Sequence, residues 1–207
     1  MHQKSRYDVA IIGGGLAGIS AAIELLDHDL KIAIIDRDSE INFGGLAVKS
    51  FGGMTLVNTP IQRLHRIHDS PEIALRDWNS FAQFSEHDIW PKKWAELYVN
   101  RSLDDIYNWL KPKGIKFFPI PQWVERGEHG DGNSLPRYHI IWGTGYHLMM
   151  ILINELKNHS KVINLTCFFD HKVETLVLQN QAVCGLQGQH EITGQAFELD
   201  ANCVLVA

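Results

Sequence analysis

Gly13, Gly15, Gly18 and Asp36 are the residues of this 207-residue chain whose types and spacing most directly imply chemistry. They lie in Val9-Ala10-Ile11-Ile12-Gly13-Gly14-Gly15-Leu16-Ala17-Gly18 and in Lys31-Ile32-Ala33-Ile34-Ile35-Asp36, a G-x-G-x-x-G run followed by a second apolar segment and an acid. The first glycine permits a tight turn out of a strand, the second lets backbone approach a pyrophosphate, and the third lets a helix pack closely on a sheet. Leu16 and Ala17 would open that helix, where free N–H groups and the helix dipole attract an anion. No Lys or Arg lies between Arg6 and Lys31 to supply the attraction by charge. Asp36, with Arg37 beside it, falls eighteen residues beyond Gly18, where it can accept hydrogen bonds from an adenosine ribose and would repel a 2′-phosphate. The implied chemistry is binding of a dinucleotide other than NADP, and Gly13, Gly15, Leu16, Ala17, Gly18, Asp36 and Arg37 are its candidate residues.

Arg137 and His139 are the candidate catalytic pair. They close a polar loop from Glu125 to Arg137 just before a helix start, where an arginine can orient a carbonyl and a histidine can exchange protons near neutral pH. The competing reading makes Arg137 a ligand of loop carbonyls and His139 a satisfied half-buried side chain. His129 and Asn133 are weaker candidates in the same loop. His65 and His68, three apart on a possible helix with Asp69 adjacent, could begin a metal site, but no third ligand follows at a suitable spacing, so a solvated face and no metal are expected. Tryptophans at 78, 90, 94, 109, 123 and 142 could form a surface for a planar substrate, although core and helix packing accounts for most of them. Cys167, Cys184 and Cys203 show no C-x-x-C spacing and read as buried, reduced thiols, which fits a reducing cytoplasm.

These residues need elements to hold them. Leu16, Ile19, Ile23 and Leu26 form one apolar stripe on a helix that follows the glycine turn, giving a strand-helix-strand unit. Residues 43–53 carry paired glycines, Gly44-Gly45 and Gly52-Gly53, and read as a loop passing close to something. Ser70 as cap and Pro71 as first residue predict a helix to about Phe84. Another helix starts at Pro91 with Trp94, Leu97 and Tyr98 and resumes after a break with Leu103, Ile106 and Leu110. A short strand is expected over 115–118, Thr144 should cap a helix from Gly145 to about Asn158, and strands follow near 162–165, 172–178, 182–187 and 203–207. Cys203-Val204-Leu205-Val206-Ala207 has the continuous apolar pattern of a strand buried on both faces of a parallel sheet, with no turn after it, so a fold truncated at its C-terminus is expected.

Composition narrows the classes. A net charge of −5 and 45% hydrophobic residues describe a globular chain without the electrostatic footprint of a nucleic-acid or anionic-membrane binder. The uncharged run from Val9 to Ile23 is too short and too interrupted by glycine to span a bilayer, which takes about 20 apolar residues. Met1 to Tyr7 lacks the regions of a secretory signal. Small molecules or proteins are the expected partners, with a small molecule as substrate.

Beyond the glycine fingerprint, further segments carry a family resemblance. They are Gly44-Gly45, Ser50-Phe51-Gly52-Gly53-Met54, Asp77-Trp78, Trp90-Pro91-Lys92-Lys93-Trp94-Ala95-Glu96 and Trp123-Val124-Glu125-Arg126-Gly127. His129-Gly130, Gly132-Asn133-Ser134-Leu135-Pro136-Arg137-Tyr138-His139, Trp142-Gly143-Thr144-Gly145 and His171-Lys172-Val173-Glu174-Thr175-Leu176 complete the set. Across nearly its whole length the chain resembles the N-terminal part of a flavoprotein of the fumarate reductase and succinate dehydrogenase superfamily, 3-ketosteroid-Δ1-dehydrogenase-like. The resemblance implies an α/β Rossmann-like fold with a parallel sheet and a mainly helical insertion. Residues 6–60 and 140–207 would form a discontinuous FAD-binding domain, and residues 61–139 the insertion. It also implies FAD, with Gly44, Gly45, Ser50, Gly52 and Gly53 along the pyrophosphate and flavin and Val173 on the strand passing the adenine. Leu46 to Ser50 contains no histidine, so FAD should be noncovalent. Family members pass a hydride between a substrate carbon and flavin N5, commonly at a carbon-carbon bond next to a carbonyl. They run to several hundred residues, so the capping domain and the usual catalytic tyrosines or arginine would lie outside these 207 residues. The rival readings are an NAD-binding oxidoreductase, or a noncatalytic remnant or one half of a split flavoprotein needing a complementing C-terminal chain.

Overall fold

The computed structural model describes residues 6–124 and 131–207. The expectations for Met1 to Ser5 and for Glu125 to Gly130, His129 included, lie outside the described residues. Two compact units are present: one comprises the chain up to Lys49 together with 149–207, the other Ser50–Leu148.

In the first unit, β1 (Arg6–Ile12), α1 (Leu16–Leu26) and β2 (Ile32–Ile35) form the strand-helix-strand unit. β1 and β2 pair in parallel, Val9 with Ile32 through Ile12 with Ile35. The apolar runs are buried as the pattern requires, with Ala10, Ile11, Ile32, Ala33 and Ile34 removed from solvent. From α1, Ile19, Ile23 and Leu26 enter the core, each burial stabilising by roughly 1.5–3 kcal/mol. Leu16 departs from the expected stripe: it stands at the helix mouth and remains 36% exposed.

β5 (Leu165–Phe168), β6 (His171–Gln179), β7 (Ala182–His190) and β8 (Ala196–Val206) complete a six-stranded sheet in the order β5-β2-β1-β8-β7-β6. β5 and β8 join in parallel, while β6 and β7 are antiparallel, so the sheet is mostly rather than wholly parallel. The expected strand at 162–165 is instead a 3₁₀ turn, Val162–Asn164, leading into β5. β8 begins seven residues before the expected 203, and its end is not buried on both faces, since Cys203, Leu205 and Val206 are exposed. The run is apolar along its length, but within it only Val204 is even half-buried. Cys167 and Cys184 are half-buried, so the expectation of three buried thiols fails at Cys203. Burial pushes the Cys167 thiol up to about 11, which keeps it protonated and inert.

The expected loop over 43–53 contains more structure: 3₁₀ turns at Glu40–Asn42 and Gly45–Lys49, with β3 (Gly53–Thr55) opening the second unit. There β3 pairs antiparallel with β4 (Tyr138–Ile140). α2 (Pro60–Leu64) is closed by a capping box between Thr59 and Gln62. Ser70 caps α3 (Pro71–Ala82), its hydroxyl accepting from the Ile73 amide at 3.3 Å. α4 (Ile89–Arg101) continues through a π-helical turn, Ser102–Tyr107, into α5 (Asn108–Leu110), so the expected break is a widened turn. The extra residue in the turn resets the inward face, burying Ser102 and Tyr107, and the Ser102 hydroxyl accepts the Val57 amide at 3.2 Å. Residues 115–118 form an isolated bridge, Phe117 to Ile141, rather than a strand. α6 (Thr144–Lys157) starts at Thr144 in the left-handed region, φ 64°.

The tryptophans depart furthest from expectation: Trp78, Trp90, Trp94, Trp123 and Trp142 are all exposed. Trp90 lies under the Lys93 ammonium at 4.8 Å and Trp142 stacks at a tilt on Phe118 at 4.8 Å. These are surface aromatic contacts, not core.

Candidate functional site

In the first unit the glycine turn is held from three sides. Gly13 takes φ 108° and its amide donates to the Ile35 carbonyl at 2.8 Å, locking the turn to β2. The Gly14 amide donates to Asp36 Oδ2 at 2.6 Å, and the Asp38 amide donates to Oδ1 at 2.8 Å, so the carboxylate that follows β2 is fixed beside the turn. At Gly18 a Cβ would drive into the Gly13 carbonyl, while at Gly15 it would meet nothing within 4 Å. The third glycine is therefore required by packing, whereas at the second no protein atom opposes a side chain.

Gly44 and Gly45 come to the same place. The Gly44 amide donates to the Gly14 carbonyl at 2.9 Å, and a Cβ on Gly45 would lie 3.5 Å from the Gly15 Cα. Both take positive φ, 104° and 58°, which glycine adopts without the side-chain penalty. Phe43, which the sequence did not single out, packs beside the turn, where a Cβ on Gly14 would collide with its ring.

Arg37 points outward in an ion pair with Glu191 at 2.8 Å. Val173 lies in β6 at a register shift and packs against the core of the first unit. Two residues before it, the His171 amide donates to the Asp36 carbonyl at 2.9 Å, tying the start of β6 to the end of β2.

Ser50, Gly52 and Gly53 belong to the second unit and have packing reasons of their own. The Ser50 carbonyl accepts the Gly145 amide at 3.0 Å. Gly52 takes φ 73° and passes so near the α6 start that a Cβ would lie 2.6 Å from the Gly145 nitrogen; Gly53 lies under the Tyr138 ring.

Arg137 and His139 are buried, each 1% exposed. Arg137 forks onto Asp69, Nε to Oδ2 and Nη2 to Oδ1, both at 2.8 Å, and its Nη1 donates to Asp77 Oδ2 at 2.7 Å and to Asn133 Oδ1 at 2.8 Å. Its partners are two carboxylates and one side-chain amide oxygen rather than the backbone loop carbonyls of the competing reading. Burial works against the Asp77 carboxylate, but donation from Ser134 and Arg137 outweighs it and holds Asp77 below the usual range. Burial likewise works against the Arg137 charge, and Asp69 and Asp77 raise its pKa in spite of it.

His139 Nδ1 faces the Arg137 carbonyl at 2.6 Å and so must carry the proton. Its Nε2, 2.8 Å from Thr59 Oγ1, then accepts from the hydroxyl. Burial lowers the His139 pKa and keeps the ring neutral. Both side chains are thus engaged inside the second unit, an arrangement nearer to the competing structural reading of the pair than to the catalytic one, with His139 fully rather than half buried. The pairing of Asp69 and Asp77 with Arg137 was missed; buried Asp77 sits three residues after buried Ala74 on α3, a helical spacing that could have marked it as inward.

His65 caps the end of α2 and binds the Pro119 carbonyl at 2.7 Å, and Arg66 turns left-handed after it, so His65 and His68 do not share a helix. Asp69, their supposed companion, is committed to Arg137.

The donors and acceptors of the glycine turn suit the diphosphate and ribose of a dinucleotide. The α1 opening has no acidic residue in its first turn and no side-chain cap, leaving its amides to an anion, and Asp36 is a fixed acceptor alongside.

Comparison with known proteins agrees. A family described as FAD binding domain matches residues 8–207. A KsdD-like steroid dehydrogenase of Mycobacterium tuberculosis is 42% identical over 185 residues, covering 87% of this chain but 32% of the relative. The chain therefore spans about a third of the length of that relative. Among solved structures, a 3-ketosteroid-Δ4-(5α)-dehydrogenase from Rhodococcus jostii superposes with a TM-score of 0.78 at 22% identity, over 97% of this chain and 45% of that one. A flavocytochrome c3 fumarate reductase does so at 0.79 and 22% identity, over 98% and 33%. From a glycine turn pinned to Asp36 and a match over nearly the whole chain, the protein belongs to the FAD-binding-domain family of flavoproteins, with FAD as its cofactor.

Proposed function

We propose that the first unit holds the adenosine diphosphate half of noncovalent FAD. The diphosphate would rest on the amides of Leu16, Ala17 and Gly18, over Gly13 and Gly15 and beside Gly44 and Gly45. Asp36 would grip the ribose, with Arg37 and Val173 toward the adenine and Ser50, Gly52 and Gly53 assigned to the flavin. The carrying observation is the Asp36 carboxylate fixed on the Gly14 amide beside an uncapped helix opening. When bound, FAD supplies two-electron chemistry, accepting or returning a hydride at a carbon-carbon bond next to a carbonyl. The relatives named steroid dehydrogenases favour a small apolar carbonyl compound as substrate.

The chain's own residues bind and orient the cofactor, and Arg137 and His139 position the second unit. Turnover is proposed for protein of the relatives' full length, the remainder supplied in the same chain or by a complementing one. A reducing, cytoplasmic location is part of the proposal. Among the described residues no helix is long and apolar enough to cross a membrane.

Purified protein should be yellow, show flavin absorbance and release free FAD on acid precipitation. A colourless chain whose fluorescence titration shows uptake of NADH but not FAD overturns the proposal in favour of the NAD reading.

A further inference from the structure

A Cβ on Gly14 would stand 2.6 Å from Phe43 Cε2, 2.8 Å from Phe43 Cδ2 and 2.7 Å from Asp36 Oδ2. The Phe43 ring and the Asp36 carboxylate therefore flank one side of the Gly14 backbone, and the amide of that residue is the donor to Oδ2 at 2.6 Å. Phe43 is 6% exposed, and its ring meets Phe169 edge to face, centroids 5.2 Å apart and planes at 81°.

Backbone braces both rings. The Asp36 amide donates to the Phe168 carbonyl at 2.8 Å, the His171 amide to the Asp36 carbonyl at 2.9 Å and the Asp170 amide to the Asp38 carbonyl at 3.0 Å. Residues 168–171, with Phe169 among them, are thus laced to residues 36–38. The Phe43 amide closes the 3₁₀ turn Glu40–Asn42 on the Glu40 carbonyl at 3.1 Å, and the next amide, of Gly44, donates to the Gly14 carbonyl at 2.9 Å. The aromatic pair is wedged between two fixed segments, against the hydrogen bond that orients Asp36.

That orientation needs a cause. An aspartate turns about its last torsion with little preference of its own, and Asp36 is only half-buried, so water competes for its oxygens. Of the roughly four lone-pair sites of a carboxylate, the Gly14 and Asp38 amides take two and leave two for a ligand. A hydrogen bond screened from water is the stronger for it, so an apolar ring at the Gly14 amide holds the two free sites in one direction.

We infer that Phe43, backed by Phe169, is a positioning residue that screens the Gly14–Asp36 hydrogen bond and thereby fixes the carboxylate for the adenosine ribose. The ribose as the group received rests on the proposed function; the screening does not.

Amide hydrogen exchange of the whole chain, followed by NMR with no nucleotide added, tests the screening. In Phe43→Leu the Gly14 amide should exchange at least about tenfold faster. The Gly13 amide, which donates to the Ile35 carbonyl and not to Asp36, should keep its wild-type rate, whereas a general loss of stability would speed both. Phe169→Leu, which removes the brace and leaves Phe43 in place, should act in the same direction by a smaller factor and serves if Phe43→Leu does not fold. Calorimetry on the flavin-stripped chain with ADP and 2′-deoxy-ADP tests the positioning. The wild type should prefer ADP by about tenfold or more, the worth of a hydrogen bond to a charged group, and in Phe43→Leu the preference should shrink toward equality. Gly14 exchange unchanged in both leucine variants overturns the screening, and faster exchange with the ADP preference intact overturns the positioning. A wild-type chain that binds both nucleotides equally overturns Asp36 as the ribose acceptor and the positioning role with it, while the exchange rates still decide the screening.

Discussion

At the level of single residues, the three fingerprint glycines are not equivalent, and the difference can be measured. Gly15 lies at φ −85° and ψ −166°, backbone that alanine adopts freely, with open space where its Cβ would stand. Gly15→Ala should leave the melting temperature close to wild type and weaken FAD binding at least about tenfold by obstructing the diphosphate. Gly18→Ala drives its methyl into the Gly13 carbonyl, backbone that cannot yield cheaply, and should destabilise by about 1–3 kcal/mol. Calorimetry of both variants beside a flavin fluorescence titration separates the two roles. The fingerprint separates these two roles by position in the sequence, and the structure adds the atom that a Cβ would meet at each. The Arg137 role was hidden in the sequence, since its two carboxylates stand 60 and 68 residues away along the chain. Removing the fork strands buried Asp69 and Asp77, so Arg137→Met should cost about 3–5 kcal/mol in urea unfolding. Arg137→Lys should recover little, because a single ammonium cannot reproduce the fork.

Elements were legible where a signal is local. Ser70-Pro71 marked the α3 start because a cap hydroxyl and a proline act within one turn, and Ser70→Ala should lower stability by about 1 kcal/mol, Ser70→Gly by a few tenths, by thermal melting. The strand-helix-strand unit was legible through its period-matched burial. By contrast, the antiparallel direction of β6 and β7 depends on which strand each finds, and nothing within His171–Gln179 encodes it. The π-helical turn after α4 escaped for a similar reason: a one-residue widening pays off only through Ser102 meeting the Val57 amide, a partner 45 residues away. The exposed tryptophans show the limit of reading aromatic residues as core, since size alone does not say which face has a covering element.

For the molecule as a whole, acid brings two effects with separable windows. The chain carries a formal charge of −5 with its 11 histidines neutral, and their protonation takes it through a pI near 6.1. With Phe51, Trp90, Trp94 and Trp142 exposed, loss of net charge should promote association, so light scattering should peak near pH 6 and fall again on either side. Folding stability follows a different course. The folded pKa of His139 is depressed below 6.5, so its neutral form stabilises the fold fully above that value, and the contribution is lost as pH falls from about 6.5 toward the folded pKa. Asp77 is also depressed, but from 3.8, so its contribution survives until pH falls below about 4. Urea midpoints in dilute solution should therefore hold between pH 8 and 7, decline as pH falls below about 6.5 by at most about 1.4 kcal/mol per pH unit, and drop again below pH 4. Glutamine can both donate to the Arg137 carbonyl and accept from Thr59, so His139→Gln should flatten the decline below about pH 6.5 while leaving the scattering maximum in place. If the decline persists in His139→Gln, some other buried base sets the acid sensitivity, and the neutral, proton-locked state assigned to His139 is wrong.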